Sequence, residues 1–323
     1  MKTIRWSIKR LRASLPPARV SSRQEGVITN NTTFRCTHTY QRFADVGFTP
    51  RCLGTHGTLS LRRALAESCN IYFFETGYYT GIDTMNLYCR KFGLGVKTGV
   101  ELNESEGILA GPEEYAERGK NWVGGDVVQA AIGQSDNQFT PLQLATYVST
   151  IANNGVRYQS HIVSKITAYA RKEVVRENSP ENPTIVAETG VSQENINYVK
   201  EGMRAVITDS RGSAHRNLGN YPVPIAGKTG TAQGPGSDNV AFVGFAPYDD
   251  PEIAFAVILQ HGSTGTYCQN VVRDILDAYF YGKTVDEEGN LVMPEEISAS
   301  SAVSDASGES SSNSTSAGTS SVG

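Results

Sequence analysis

Apolar residues in this chain recur at helical spacing in some stretches and cluster into short runs in others, with turn residues marking off the elements. Ser60 stands as a helix N-cap before Leu61, Leu65 and Ala66. Thr140-Pro141 is a stronger start, a hydroxyl cap followed by proline at the first helical position. Leu142, Leu144, Ala145, Val148 and Ile151 give that helix a buried face, and Gly155 supplies its stop. Residues 225–233, 241–246 and 253–260 read as three successive strands, turned by Pro235-Gly236 and by Asp249-Asp250-Pro251. Links this short make the strands antiparallel neighbours. A closing helix over about residues 270–280 sets Val271, Ile275 and Leu276 on one face with Tyr279. Helices, then an antiparallel sheet, then a last helix predict an α+β layered domain.

Composition narrows the class. At 323 residues with 39% hydrophobic and 19% charged positions, the chain can bury a substantial core. A net charge of −4 gives no reason to expect nucleic acid. No apolar run is long enough for a membrane span. The N-terminus is basic (Lys2, Arg5, Lys9, Arg10, Arg12, Arg19 and Arg23, with no acid before Glu25), yet no apolar run follows it, so no secretory signal is expected. After Glu296 the chain is mostly Ser, Ala, Gly and Thr, which cannot offset its ordering entropy and predicts a disordered tail. Five cysteines (Cys36, Cys52, Cys69, Cys89 and Cys268) include no CxxC and show no metal-ligand spacing. Their odd number argues against a full disulfide framework; Cys36 and Cys52 bracket a small loop and could pair in an exported chain.

The sharpest chemical feature is Lys228-Thr229-Gly230-Thr231 inside a strand. A free strand edge can pair with an extended peptide, and glycine lets another backbone come close. The ammonium and two hydroxyls can hold a carboxylate and set a positive field over a reacting hydroxyl. A second Lys-Thr-Gly, Lys97 to Gly99, sits in a glycine-rich turn and warns that the tripeptide alone is weak. Ser68-Cys69-Asn70 follows the Ser60 helix and precedes the apolar Ile71-Tyr72-Phe73-Phe74; its hydroxyl could relay a proton beside an amide that grips a peptide group. The bland alternative is a helix end satisfying its own backbone. Ser135-Asp136-Asn137 is a rival with the same spacing.

Together these residues resemble the penicillin-binding fold, which combines an S-x-x-K, an S-x-N-type and a K-T-G element. The blocks from Gly57 to Asn70, Gln129 to Ser135, Thr140 to Ala145 and Ala226 to Gln233 all resemble class B, monofunctional transpeptidases of peptidoglycan synthesis. The resemblance implies an antiparallel five-stranded sheet flanked by helices, with a mostly helical subdomain. It also implies a domain over residues 25–286, preceded by an aberrant segment 1–24 and followed by the tail 287–323. By the same resemblance Ser68 relays a proton to the leaving D-alanine and Asn70 holds the substrate's peptide amide. Lys228 supports that network, and Thr229, Gly230 and Thr231 bind substrate, with the Thr231 N–H as half of an oxyanion hole. The implied partners are D-Ala-D-Ala stem peptides, β-lactams and other cell-wall synthesis proteins. No cofactor or metal is implied, and the location is the outer face of the cytoplasmic membrane.

One element is missing. No serine before residue 68 has lysine three positions later: Ser7 meets Arg10, Ser14 Pro17, Ser21 Gln24 and Ser60 Arg63. Arginine stays protonated and cannot act as the base. Read two bases out of frame, synonymous codons for Pro16 to Ser22 can spell Pro-Gly-Ser-Gly-Phe-Lys, which resembles the family's nucleophile motif. A frameshift or misassembled gene start is therefore expected. Such a chain should not acylate, and with its nucleophile helix lost it should be poorly stable. The alternatives are a non-catalytic binding module that keeps the groove, and a β-lactamase-like hydrolase for which no water-activating carboxylate can be placed.

Overall fold

The computed structural model describes residues 8–9, 16–171, 173–179, 181–232, 236–286 and 288–293. The Ser-rich tail and most of the first fifteen residues lie outside them. After β1 (Ile8–Lys9) comes helix α1 (Pro16–Gln24), then the hairpin of β2 (Thr33–Cys36) and β3 (Gly57–Ser60). Three helices follow closely, α2 (Leu61–Ala66), α3 (Asn70–Thr80) and α4 (Ile82–Lys91). Next are α5 (Pro112–Glu117), α6 (Gly124–Ala131), β4 (Gln138–Phe139) and α7 (Pro141–Ala152). Four short strands, β5 (Val156–Tyr158), β6 (Lys165–Thr167), β7 (Val174–Glu177) and β8 (Ile185–Glu188), pair as β5 with β8 and β6 with β7. The long helix α8 (Gln193–Thr208) and short α9 (His215–Leu218) lead into β9 (Ala226–Ala232), β10 (Asn239–Ala246) and β11 (Ile253–Leu259). The chain forms two compact units, Met1–Asn270 and Val271–Gly323. Helix α10 (Gly265–Tyr281) opens at the end of the first, and the hairpin of β12 (Thr284–Val285) and β13 (Leu291–Val292) belongs to the second.

The expected strands form one antiparallel sheet in the order β11-β10-β9. Among the described residues it has three strands rather than five. The other strands pair in separate two-stranded ribbons. Among the described residues strand β9 has β10 on one side only, which leaves its far edge open to an extended chain. Helix α7 lies on the sheet's inner face with Tyr147, Val148 and Ile151 fully buried. It starts as its sequence demands: the Thr140 hydroxyl accepts from the Gln143 N–H at 3.1 Å, and Gln143 Oε1 accepts from the Thr140 N–H at 3.0 Å. Ser60 is different. It has the extended backbone of an N-cap, but its side chain makes no capping hydrogen bond, so α2 is held by packing instead.

That packing is close. A Cβ on Gly202 of α8 would meet Leu65 Cδ1 at 2.3 Å, so only glycine lets α8 press so tightly on α2. Helix α1 is present and buried, with Val20 fully enclosed, and it packs against α3, α4 and α8. The Ser22 hydroxyl meets Thr80 Oγ1 at 2.7 Å, and Arg23 donates to Asn195 and lies over Tyr198. A helix is therefore present over residues 16–24, in the segment where the sequence led us to expect one lost. Its packing has a defect. Arg19 is wholly buried, stacked on Phe73, and among the described residues none of its three guanidinium nitrogens has a hydrogen-bond partner.

Candidate active site

The link between α2 and α3 places the first candidate side chain, Ser68. After Ala66 the chain turns so sharply that Ser68 takes a left-handed backbone, φ +56°. A side-chain-bearing residue held there costs about 1 kcal/mol or more, strain the surroundings must offset. The Cys69 N–H donates to Ala64 O at 3.0 Å, and the Asn70 N–H donates to Cys52 Sγ at 3.2 Å. Asn70 begins α3, and its Nδ2 donates to Arg51 O at 3.2 Å. The turn presents the Ser68 hydroxyl toward β9.

Lys228 reaches it from the sheet. On β9 the residues alternate, so Thr229 and Thr231 are half-buried on the open face while Lys228 is enclosed on the other. Its Nζ donates to Ser68 Oγ at 2.7 Å, to Thr229 O at 3.0 Å and to Thr229 Oγ1 at 3.1 Å. Burial pushes the Lys228 ammonium well below the usual lysine range, and the charge of Arg19 pushes the same way. A lysine that gives up its proton readily can both donate to a neighbouring hydroxyl and take a proton from it. Ser68, Asn70, Thr229 and Thr231 line one cleft of about 330 Å³. Gly230 lies between the two threonines on the same strand.

Residues the sequence did not mark complete this cleft: Glu67, Ser213, Arg216 and Gln269. The Ser213 hydroxyl meets Thr229 Oγ1 at 2.8 Å, while its N–H donates to Ala66 O at 3.0 Å, tying the strand to the end of α2. Its one sequence signal was the preceding glycine. A Cβ on Gly212 would meet Val206 O at 2.4 Å, so the turn after α8 needs that residue.

Both rivals are engaged elsewhere. Asn137 is buried and accepts from the Ala110 N–H at 2.9 Å while donating to Ala130 O and Gln134 O. Ser135 pairs with the Tyr115 hydroxyl at 2.6 Å, and Asp136 is held by Lys120 and Arg118. In the other Lys-Thr-Gly, the Thr98 and Gly99 N–H groups donate to the Glu104 carboxylate at 2.8 and 2.9 Å. Lys97 is an exposed ion-pair partner of Glu106.

A second cluster lies directly behind the serine turn. The ligand atoms of Cys36, Cys52, His56 and Cys69 all fall within 4.8 Å of one another. Both Cys36 Sγ and Cys52 Sγ stand 3.5 Å from His56 Nδ1, and Cys52 Sγ is 4.0 Å from Cys69 Sγ. Tetrahedral zinc with its usual bond lengths would set sulfur–nitrogen edges of about 3.5 Å and sulfur–sulfur edges of about 3.8 Å. The four side chains therefore fit a thiophilic divalent cation. A hydrogen bond from the Cys69 thiol draws Cys52 toward the thiolate form that such an ion requires, and the same bond pushes the Cys69 thiol up. The spacing along the chain gave no sign of this. The ligands come from the end of β2, the β2–β3 connection and the α2–α3 link, and only folding gathers them.

A strand bearing lysine and threonines beside a Ser-x-Asn turn, on an antiparallel sheet backed by helices, is the arrangement of a penicillin-binding transpeptidase fold. Comparison with known proteins agrees: the penicillin binding protein transpeptidase domain family matches residues 16–277, so the chain belongs to that family, in its class B branch. The match begins at Pro16, ahead of the Glu25 boundary expected from sequence. Among curated relatives, the peptidoglycan D,D-transpeptidase MrdA of Acinetobacter baumannii is 35% identical over 240 residues, covering 69% of this chain and 34% of the relative. MrdA of Escherichia coli K12 is 30% identical over 314 residues, covering 90% of this chain and 47% of the relative. The chain thus spans less than half the length of these relatives. Pseudomonas aeruginosa PBP2, solved in complex with WCK 5153, superposes with a TM-score of 0.75 at 28% identity, covering 89% of this chain and 61% of that one. Helicobacter pylori PBP2, solved in complex with MreC, gives a TM-score of 0.71 at 25% identity, covering 82% and 48%.

Proposed function

We propose that this chain is the substrate-binding part of a D,D-transpeptidase, receiving D-Ala-D-Ala stem peptides and β-lactams in the cleft beside β9, and that it does not itself form the acyl-enzyme. The 2.7 Å contact between Lys228 Nζ and Ser68 Oγ carries the reading. It joins the two motifs into one proton-handling pair at the wall of the cleft, while no serine before Ser68 stands three residues ahead of a lysine. In this reading the stem peptide lies antiparallel along the free edge of β9. Its terminal carboxylate meets Thr229, Thr231 and Arg216, its peptide amide meets Asn70, and the Thr231 N–H faces the scissile carbonyl. Without a nucleophile the bound amide is held but not attacked.

Two measurements on the same sample test this. Fluorescent penicillin should leave no covalent label after denaturation, and stoichiometric labelling would refute the inactivity. A D-Ala-D-Ala peptide titrated by NMR should shift resonances around Ser68 and Thr229; no shift at millimolar peptide would remove the binding role. The buried Arg19, without a hydrogen-bond partner among the described residues, supports a disturbed N-terminal segment, since a residue that contradicts its surroundings marks a local conflict between sequence and fold. Reading the coding DNA over residues 1–24 checks the frame. A nucleophile motif in another frame supports the disturbance, and codons unable to spell one overturn it. A location at the membrane's outer face, and partners such as the MreC bound by the Helicobacter relative, are part of the same proposal. Among the described residues no helix is long and apolar enough to cross a membrane.

A further inference from the structure

Three thiols meet behind the serine turn, and all are buried: Cys36 is 1% exposed, Cys52 3% and Cys69 0%. Cys52 Sγ and Cys69 Sγ touch at 4.0 Å, Cys36 Sγ lies within 4.8 Å of both, and Cys36 also faces the Gly54 carbonyl at 3.4 Å. A disulfide requires the two sulfurs to close to about 2.0 Å, a shift that rotation of two side chains can supply when the sulfurs already touch. We infer that Cys52 and Cys69 are a redox pair: a disulfide between them is a second covalent state of this site, exclusive of metal binding, that pins the Ser68 turn.

The position gives that bond its consequence. Cys69 is the residue between Ser68 and Asn70, and Cys52 immediately precedes Leu53, which lines the same cleft. A Cys52–Cys69 bond ties the strained turn covalently to the facing wall. It also removes two of the four donors in the cluster, so the oxidised site cannot hold a cation tetrahedrally. With a peroxide as oxidant the step balances. The Cys52 sulfur, the less enclosed of the two, attacks one peroxide oxygen; the O–O bond breaks, the thiol proton leaves with the departing oxygen as water, and the sulfur becomes a sulfenic acid. The Cys69 sulfur then attacks that sulfenic sulfur, forming the S–S bond as the S–O bond breaks, and its proton leaves with the oxygen as water. An external dithiol reverses the change.

The chain carries its own control. Cys52 is 17 residues from Cys69 and 16 from Cys36 (52 − 36), so loop-closure entropy in an unfolded chain scarcely distinguishes the two pairings. The full chain, freed of metal by chelator, is treated with hydrogen peroxide, alkylated without reduction, digested and mapped by mass spectrometry, once folded and once in denaturant. The folded sample should give one dominant cross-link, Cys52–Cys69, lighter by two hydrogens and lost on adding a dithiol, while the denatured sample gives both pairings at comparable yield. Cys36→Ser should keep the folded-state cross-link, and amide exchange over residues 67–71 should slow several-fold on oxidation. Cys36 in the dominant cross-link, sulfinic acid without any cross-link, or the same mixture folded and unfolded would overturn the pair. Exchange unchanged by oxidation would overturn the pinning.

Discussion

At the scale of single residues, two of the buried cations, Lys228 and Arg19, differ in how they are compensated. Lys228 has three acceptors, and its depressed proton affinity follows first from burial and then from the charge of Arg19. The folded state therefore binds fewer protons than the unfolded chain between that depressed value and the ordinary lysine value of about 10.4. Stability should rise with pH through that window and be lost as pH falls toward the folded value. Lys228→Met should flatten the slope, read from denaturant midpoints at a series of pH values; an unchanged slope would assign it to another group. Arg19 has no acceptor among the described residues, and burial holds its guanidinium well below the usual range. Arg19→Leu removes a buried unpaired charge and keeps apolar volume over Phe73, so it should stabilise by about 1–3 kcal/mol, read as a higher denaturation midpoint. A lower midpoint would mean that the guanidinium has a partner in solution.

At the scale of elements, what was visible in the sequence depended on whether the deciding contact was local. The start of α7 was visible because Thr140 and Gln143 are three residues apart and satisfy each other. Thr140→Ala should cost about 1 kcal/mol in an equilibrium unfolding experiment. Ser60 had the same outward signature but makes no cap bond, because the close approach of α8 already fixes α2. That contact is between residues far apart in sequence, so no window around Ser60 could show it. Gly202→Ala should push on Leu65, cost about 1–3 kcal/mol and disturb the link that carries Ser68. A variant as stable as the parent would show that α2 and α8 can separate freely. Two strands of the sheet were legible from their apolar runs and β9 from the Lys-Thr-Gly-Thr block before its turn, and only their end residues moved.

At the scale of the whole molecule, the Cys36, Cys52, His56 and Cys69 group is where the fold adds most to the sequence. If the donor set works as its geometry suits, chain purified without chelator should carry about one zinc per molecule by elemental analysis. Removing it should lower the thermal midpoint, because a ligand bound only by the native state stabilises that state. Absence of bound metal together with an unchanged midpoint on added zinc would overturn this.

The sequence by itself determined the family, the strand with its Lys-Thr-Gly-Thr, the pairing of that strand with Ser68-Cys69-Asn70, and the lack of a serine with lysine three residues on. Each rests on residues close along the chain or on blocks in a fixed order. Only the tertiary structure decided that Lys228 touches Ser68, that both look-alike motifs are spent on their own backbone and side-chain neighbours, and that four scattered donors meet behind the serine. These depend on contacts between segments up to 160 residues apart, which packing creates and spacing does not encode.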